Sequence, residues 1–198
     1  MKKIVIIFLA SLMLIVTGCS KEVHASEDAV IDNFFSAYTS QDYSTAQNYV
    51  AADSQDSFAS LQTLVADDEI NGIILSQMSD MSYKIVSSEF LDNTAKLTVR
   101  IVYPNAGGAF MNAIGSMYVD ASEGTLNDRS SEDMNTYIRG LLLTHLNAEL
   151  EKMDRERTVE LVKEDSEWRI VMTEEFKNAI SANMMNAIEE LEIMGVQF

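Results

Sequence analysis

Apolar residues recur along this chain in two rhythms, one of three to four residues and one of two. The first opens the pattern. Val30, Ile31, Phe34, Phe35 and Tyr38 fall on one face of a helix. Ser26 stands ahead of them as a cap, with Glu27 and Asp28 in the first turn, where acids favour the helix dipole. A helix is therefore predicted from Ser26 to near Ser40. Gln41-Asp42-Tyr43 interrupts it, and a second helix is expected over 44–51, carrying Ala46, Tyr49 and Val50. Between Asp53 and Met81, Phe58, Leu61, Leu64 and Val65 fit one helix. Ile70, Ile73, Ile74 and Met78 fit another, beyond the acidic run Asp67-Asp68-Glu69.

The two-residue rhythm appears twice. Ser82 to Tyr103 reads as a β-hairpin around Asp92-Asn93, both tolerant of positive φ. A two-residue loop pairs Leu91 with Thr94 and so places Val86, Phe90, Ala95, Leu97, Val99 and Ile101 on one face. Glu89 then meets Lys96 on the other, and Ser87 meets Thr98. Arg155 to Thr173 repeats the pattern around Asp165-Ser166. Val159, Leu161, Trp168, Ile170 and Met172 share one face there, and Glu160, Val162 and Arg169 the other. One apolar and one polar face is what an antiparallel sheet covered on a single side requires.

Helical spacing fills the remainder. Phe110, Met111, Ile114 and Met117 suggest a loose helix after Pro104. Ser130 or Ser131 caps a stronger one, lined by Tyr137, Ile138, Leu141, Leu142, His145, Leu146 and Leu150. A last helix begins at Glu174 and carries Phe176, Ile180, Met184, Ile188 and Leu191. The fold class is α+β: an antiparallel sheet of about four strands, built from two hairpins, packed on one face by helices, with a helical insertion between the hairpins.

The first residues belong to neither rhythm. Lys2 and Lys3 precede an apolar run, Ile4 to Val16, too short to span a bilayer comfortably. The run closes on Val16-Thr17-Gly18-Cys19, whose cysteine is the only one in the chain. These residues resemble the lipobox of bacterial lipoproteins. The resemblance implies cleavage between Gly18 and Cys19 and a lipid on Cys19. It divides the chain into a signal peptide (1–18), a lipidated tether (19–25) and one extracytoplasmic α+β domain (26–198), held at the outer face of the cell membrane. With a single cysteine, no intrachain disulfide can form.

Charge narrows the partners. The chain carries −17, and its first 18 residues hold two lysines and no acid, so the remainder stands at −19. Such a surface repels phosphate backbones, which excludes nucleic acid as a partner. It also repels anionic headgroups, so the lipid rather than the surface should hold the protein at the membrane.

Two stretches resemble small lipoproteins with a cystatin-like or NTF2-like domain. One is the opening helix with its Asp42-Tyr43-Ser-Thr-Ala46 link. The other is Thr158 to Ile170, where Lys163, an acidic turn at Asp165 and Trp168 recur. The resemblance implies a curved antiparallel sheet wrapped around helices, on a scaffold that hosts both enzymes and binding domains. Residues 106–150 depart from it, carrying helices where simpler members have a short loop.

Catalytic chemistry is poorly supplied. Tyr38, Tyr49 and Tyr137 are expected on helices and facing inward, but no acid joins them on the apolar face of either hairpin. His24 sits in the tether and His145 on an apolar helical face, too few for a histidine triad or a zinc site. Gly107-Gly108 lacks the surroundings of a phosphate loop. No catalytic residue, metal or cofactor is assigned. The 12 methionines suit core filling or an adaptable groove. The expected function is a non-enzymatic binding domain for a protein or peptide. The alternatives are a small-molecule or lipid carrier, with a pocket near Phe110, Met117, Tyr137 and Trp168, and a pocket enzyme of NTF2-like type.

Overall fold

A computed structural model describes residues 26–193. Gly18, Cys19 and His24, with the expected signal and tether, lie outside the described residues. Eight helices and four strands follow in the order α1 (Glu27–Thr39), α2 (Tyr43–Gln47), α3 (Gln55–Ala59), α4 (Asp68–Ser79), β1 (Ser82–Leu91), β2 (Thr94–Pro104), α5 (Ala106–Ser122), α6 (Ser131–Leu146), β3 (Lys152–Glu164), β4 (Glu167–Val171), α7 (Glu174–Ile180) and α8 (Met184–Ile193). The strands form one open antiparallel sheet in sequence order. Its helix-covered face buries Ala95, Leu97, Val99, Ile101, Val159, Leu161 and Ile170, while Lys96 and Arg100 of the other face are exposed. The fold is α+β, with α5 and α6 inserted between the two hairpins.

Helix starts are set by short polar side chains. Ser26, Asp42, Asp67, Asn105, Ser130 and Thr173 each accept a backbone N–H of the helix that follows. That satisfies donors the first turn leaves unpaired. The buried face of α1 is aromatic and specific: Phe34 stacks on Tyr38 at 5.5 Å, and Phe35 stacks on Tyr83 of β1 at 4.2 Å. The Tyr38 hydroxyl donates to the Ile180 carbonyl at 2.8 Å, tying α1 to the end of α7.

The second hairpin has the expected register. Lys163 pairs with Trp168 and Glu164 with Glu167 across Asp165 and Ser166, whose φ values of 48° and 71° make the mirror-image turn that matches strand twist. Its first strand begins at Lys152, earlier than expected. The tip of the first hairpin is also in register, with Leu91 opposite Thr94 and Glu89 opposite Lys96. Below it the pairing slips between Ile85 and Ser87. This bulge sets Val86 and Ser87 together against Thr98 and moves Tyr83 and Ile85 onto the inner face. Val86 does not share that face, and Phe90, which does, stays exposed at the tip among the described residues.

Three helical expectations need correction. The helix expected over 44–51 ends at Gln47, and Val50 instead bridges Ile170. Tyr49, past its end, is only half-buried. The helix expected through Phe58, Leu61, Leu64 and Val65 ends at Gln62: 3-10 turns over 52–54 and 60–62 flank Gln55–Ala59, and Leu64 and Val65 lie beyond them. The last helix breaks after Ile180, where Ala182 and Asn183 take φ values of 53° and 68°. The break seats the start of α5: Gly107 donates its N–H to the Ala182 carbonyl at 3.0 Å. A Cβ on Gly107 would stand 2.1 Å from the Asn183 carbonyl oxygen, so only glycine fits this approach. Met184 is buried and Ile188 half-buried beyond the break, while the Leu191 side chain lies outside those described.

Candidate ligand-binding cleft

A cleft of about 390 Å³ lies where α4 and the loop before it meet α5 and α6. Ile70 of α4, Phe110, Ile114 and Met117 of α5, and Ile138 and Leu142 of α6 line it with apolar surface. Its polar groups are few: Asp67, Asn135 and Arg139. The volume falls within the range of small-molecule pockets, which are lined in this way by apolar side chains and a few placed polar groups.

Each wall has an identifiable local cause. Asp67 does two jobs with one carboxylate. Its Oδ1 accepts the Glu69 and Ile70 N–H groups at 3.0 Å each, capping α4. Its Oδ2 accepts Arg139 Nε of α6 at 2.7 Å, and the same guanidinium reaches Glu69. The Arg139 donors hold the Asp67 carboxyl below its ordinary range, with the backbone N–H of Ile70 contributing. This rim pair is part-exposed, so it fixes the distance between α4 and α6 more than it adds stability. Asn71 holds the loop: its Oδ1 accepts Leu64 N–H and its Nδ2 donates to the Gln62 carbonyl, both at 3.0 Å. Val65 and Ala66, carried by that loop, form one lip of the cleft.

The structure brings Phe110 and Met117 together here, one turn of α5 either side of Ile114. Tyr137 and Trp168 are elsewhere. Tyr137 precedes Ile138, and one residue of helix is about 100° of rotation. That step turns it from the α4 side of α6 to the α5 side, where its hydroxyl donates to Asp120 and Arg129 lies 4.3 Å over its ring. The Asp120 hydrogen bond, then partial burial, raises the Tyr137 pKa. Trp168 is buried on β4, with Lys163 Nζ 4.9 Å above its ring and residues 49–51 along the strand beside it. His145 also faces α5, with Nε2 3.3 Å from Ser116 Oγ. Among the described residues no group of three or more His, Cys, Asp or Glu is placed to hold a metal, and no helix is long and apolar enough to cross a membrane.

Arg139, Asp67 and Asn71 were not singled out by sequence reasoning as members of a site. The residues bonded between α4 and α6 are 72 apart in the chain, and no local pattern relates them. The only local signal was the acidic run before Ile70, which reads equally well as a helix start. Compared with known proteins, the chain matches no family model, no curated protein and no solved structure.

Proposed function

We propose that this chain is a lipid-anchored, extracytoplasmic binding domain without enzymatic activity, and that the cleft between α4, α5 and α6 takes a small, mostly apolar molecule. The cleft itself is the observation that carries this reading. Six apolar side chains from three helices converge on it, and its few polar groups sit together, Arg139 beside Asp67. That distribution favours a ligand with an apolar body and one polar end. Asp67 and Glu69 leave the rim net acidic beside Arg139, which favours a hydroxyl or amine at the polar end over a carboxylate. The anchoring rests on the lipobox, with Cys19 carrying the lipid and the domain following a short tether.

A ligand that binds only the folded state raises its melting temperature. A panel of sterols, fatty alcohols and acyl amines should therefore contain members that raise the melting temperature by several degrees. Phe110→Ala, at the cleft floor, should lose that shift. A panel without any shift would count against the carrier and favour a protein or peptide as the bound partner. For the anchor, Cys19→Ala should abolish incorporation of labelled palmitate and leave a longer, unprocessed chain; normal labelling would contradict it.

A further inference from the structure

The two edges of the sheet are treated differently. At β4 the edge is occupied: Ile170 N–H donates to the Tyr49 carbonyl and Ala51 N–H to the Ile170 carbonyl, each at 2.8 Å. At β1, the other edge, no strand lies alongside among the described residues. β1 is ten residues long. Of the six large apolar side chains that stand exposed among the described residues, three belong to it, Val86 at 49%, Phe90 at 53% and Leu91 at 69%. Its two charged side chains, Lys84 and Glu89, form no ion pair among the described residues, since Lys96, across from Glu89, is taken by Glu160 at 2.9 Å. An open edge is a template for another strand, and the bulge and Lys84 resist indiscriminate pairing, so a partner must match both.

We propose that β1 pairs antiparallel with β1 of a second copy of this chain, about a twofold axis between Val86 and Ser87, joining two sheets into one. Three observations select this partner and register. The first is charge: Lys84 of each copy falls opposite Glu89 of the other, so one contact is made twice, as a twofold interface requires. The second is the faces. The bulge gives β1 an irregular inside–outside order, Tyr83 and Ile85 in, Val86 and Ser87 out, Ser88 and Phe90 in. Read backwards about the proposed axis the order is the same, so like faces meet along the whole strand. A one-residue shift sets opposite faces together. A two-residue shift sets Lys84 against Ser87 or Leu91 and leaves both charges unpaired.

The third is coverage. The lower half of β1 is backed by α1, where Phe35 stacks on Tyr83, whereas residues 86–91 are exposed. The twofold axis lays the bare half of each strand against the backed half of the other, with Phe90 opposite Tyr83 of the second copy. Aromatic pairs across strands stabilise such contacts. The acidic surface opposes the approach of two copies, but salt screens that repulsion beyond about 8 Å at physiological strength. The proposal stands on the sheet edge and is independent of what the cleft binds.

The test is disulfide trapping of the full-length protein in its own envelope. Lys84→Cys combined with Glu89→Cys should give an oxidised dimer at least tenfold above either single variant and above the parent chain, whose only cysteine is Cys19. Within one copy the two positions are about 16 Å apart along the strand, too far to bridge. No dimer, equal trapping by the single variants, or a cross-link to a different protein would overturn the proposal. A second arm needs no cysteine. Lys84→Glu should weaken self-association of the detergent-solubilised protein roughly tenfold, by setting like charges opposite twice. Adding Glu89→Lys should restore it; weakening without restoration would also overturn the proposal.

Discussion

Tyr43 carries the buried side-chain polar atom that, among the described residues, has no hydrogen-bond partner. Five residues earlier, Tyr38 has a fully buried ring and spends its hydroxyl on the Ile180 carbonyl at 2.8 Å. Burial raises the pKa of both phenols, that of Tyr38 the more. The two rings meet edge to face at 5.5 Å; Tyr38 is fully buried and Tyr43 half-buried, and their hydroxyls differ in having a partner. Removing an unbonded buried hydroxyl is nearly free or favourable, whereas removing a bonded one strands its partner at about 1–3 kcal/mol. Urea unfolding should accordingly show Tyr43→Phe as stable as the parent or more so, and Tyr38→Phe less stable by about that amount. Equal losses would show that Tyr43 has a partner in solution.

At the scale of elements, Arg139 of α6 is held at the start of α4 by two carboxylates, Asp67 and Glu69, and Asp67 also caps that helix. Asp67 has a lowered pKa because Arg139 and the backbone of α4 stabilise its charged form. For a carboxyl lowered on folding, the stabilising contribution is present above the ordinary value of 3.8 and is lost as pH falls through the lower folded value. Asp67→Asn keeps a capping oxygen and removes the charge. The variant should be the less stable of the two at neutral pH, and the gap should close in acid below the ordinary carboxylate range. A gap that persists undiminished in acid would mean the Arg139 pair is not its cause.

The elements differ in how far their own residues announced them. Both hairpin turns and the strand pairing near them were legible, because a two-residue alternation and a turn of Asp-Asn or Asp-Ser constrain each other locally. The bulge at Val86 was not, since it is resolved only by what packs behind it: Tyr83 turned inward finds Phe35 of α1 and the Asp32 carboxylate. Nor was the break between α7 and α8. The spacing of Phe176, Ile180, Met184 and Ile188 is that of an unbroken helix, whereas the break is held by Ser181 and Asn178 side chains and by Gly107 from a segment 75 residues away. The same holds for the residues named for a pocket. Phe110 and Met117 share a helical face that local spacing shows, while the choice between Tyr137 and Ile138 depends on which neighbour each side of α6 receives.

At the scale of the molecule, the helices divide the work. α1 and α7 pack against the sheet and each other, with Phe34 5.9 Å from Phe176. The inserted pair α5 and α6 instead meets α4 along its own apolar stripe and leaves the cleft. A gap of that kind could arise from loose packing alone, and the two origins respond oppositely to filling. A binding cleft loses its cargo when Ile138→Phe narrows it; a packing gap holds no cargo to lose.

Native mass spectrometry of the protein, purified gently from the cells that make it, tests the binding reading most directly. The account predicts a discrete added mass beyond that of the chain and of any group covalently joined to it, present in the parent, lost on denaturation and absent from Ile138→Phe. A chain without such a mass, or an added mass that Ile138→Phe retains in full, would contradict it.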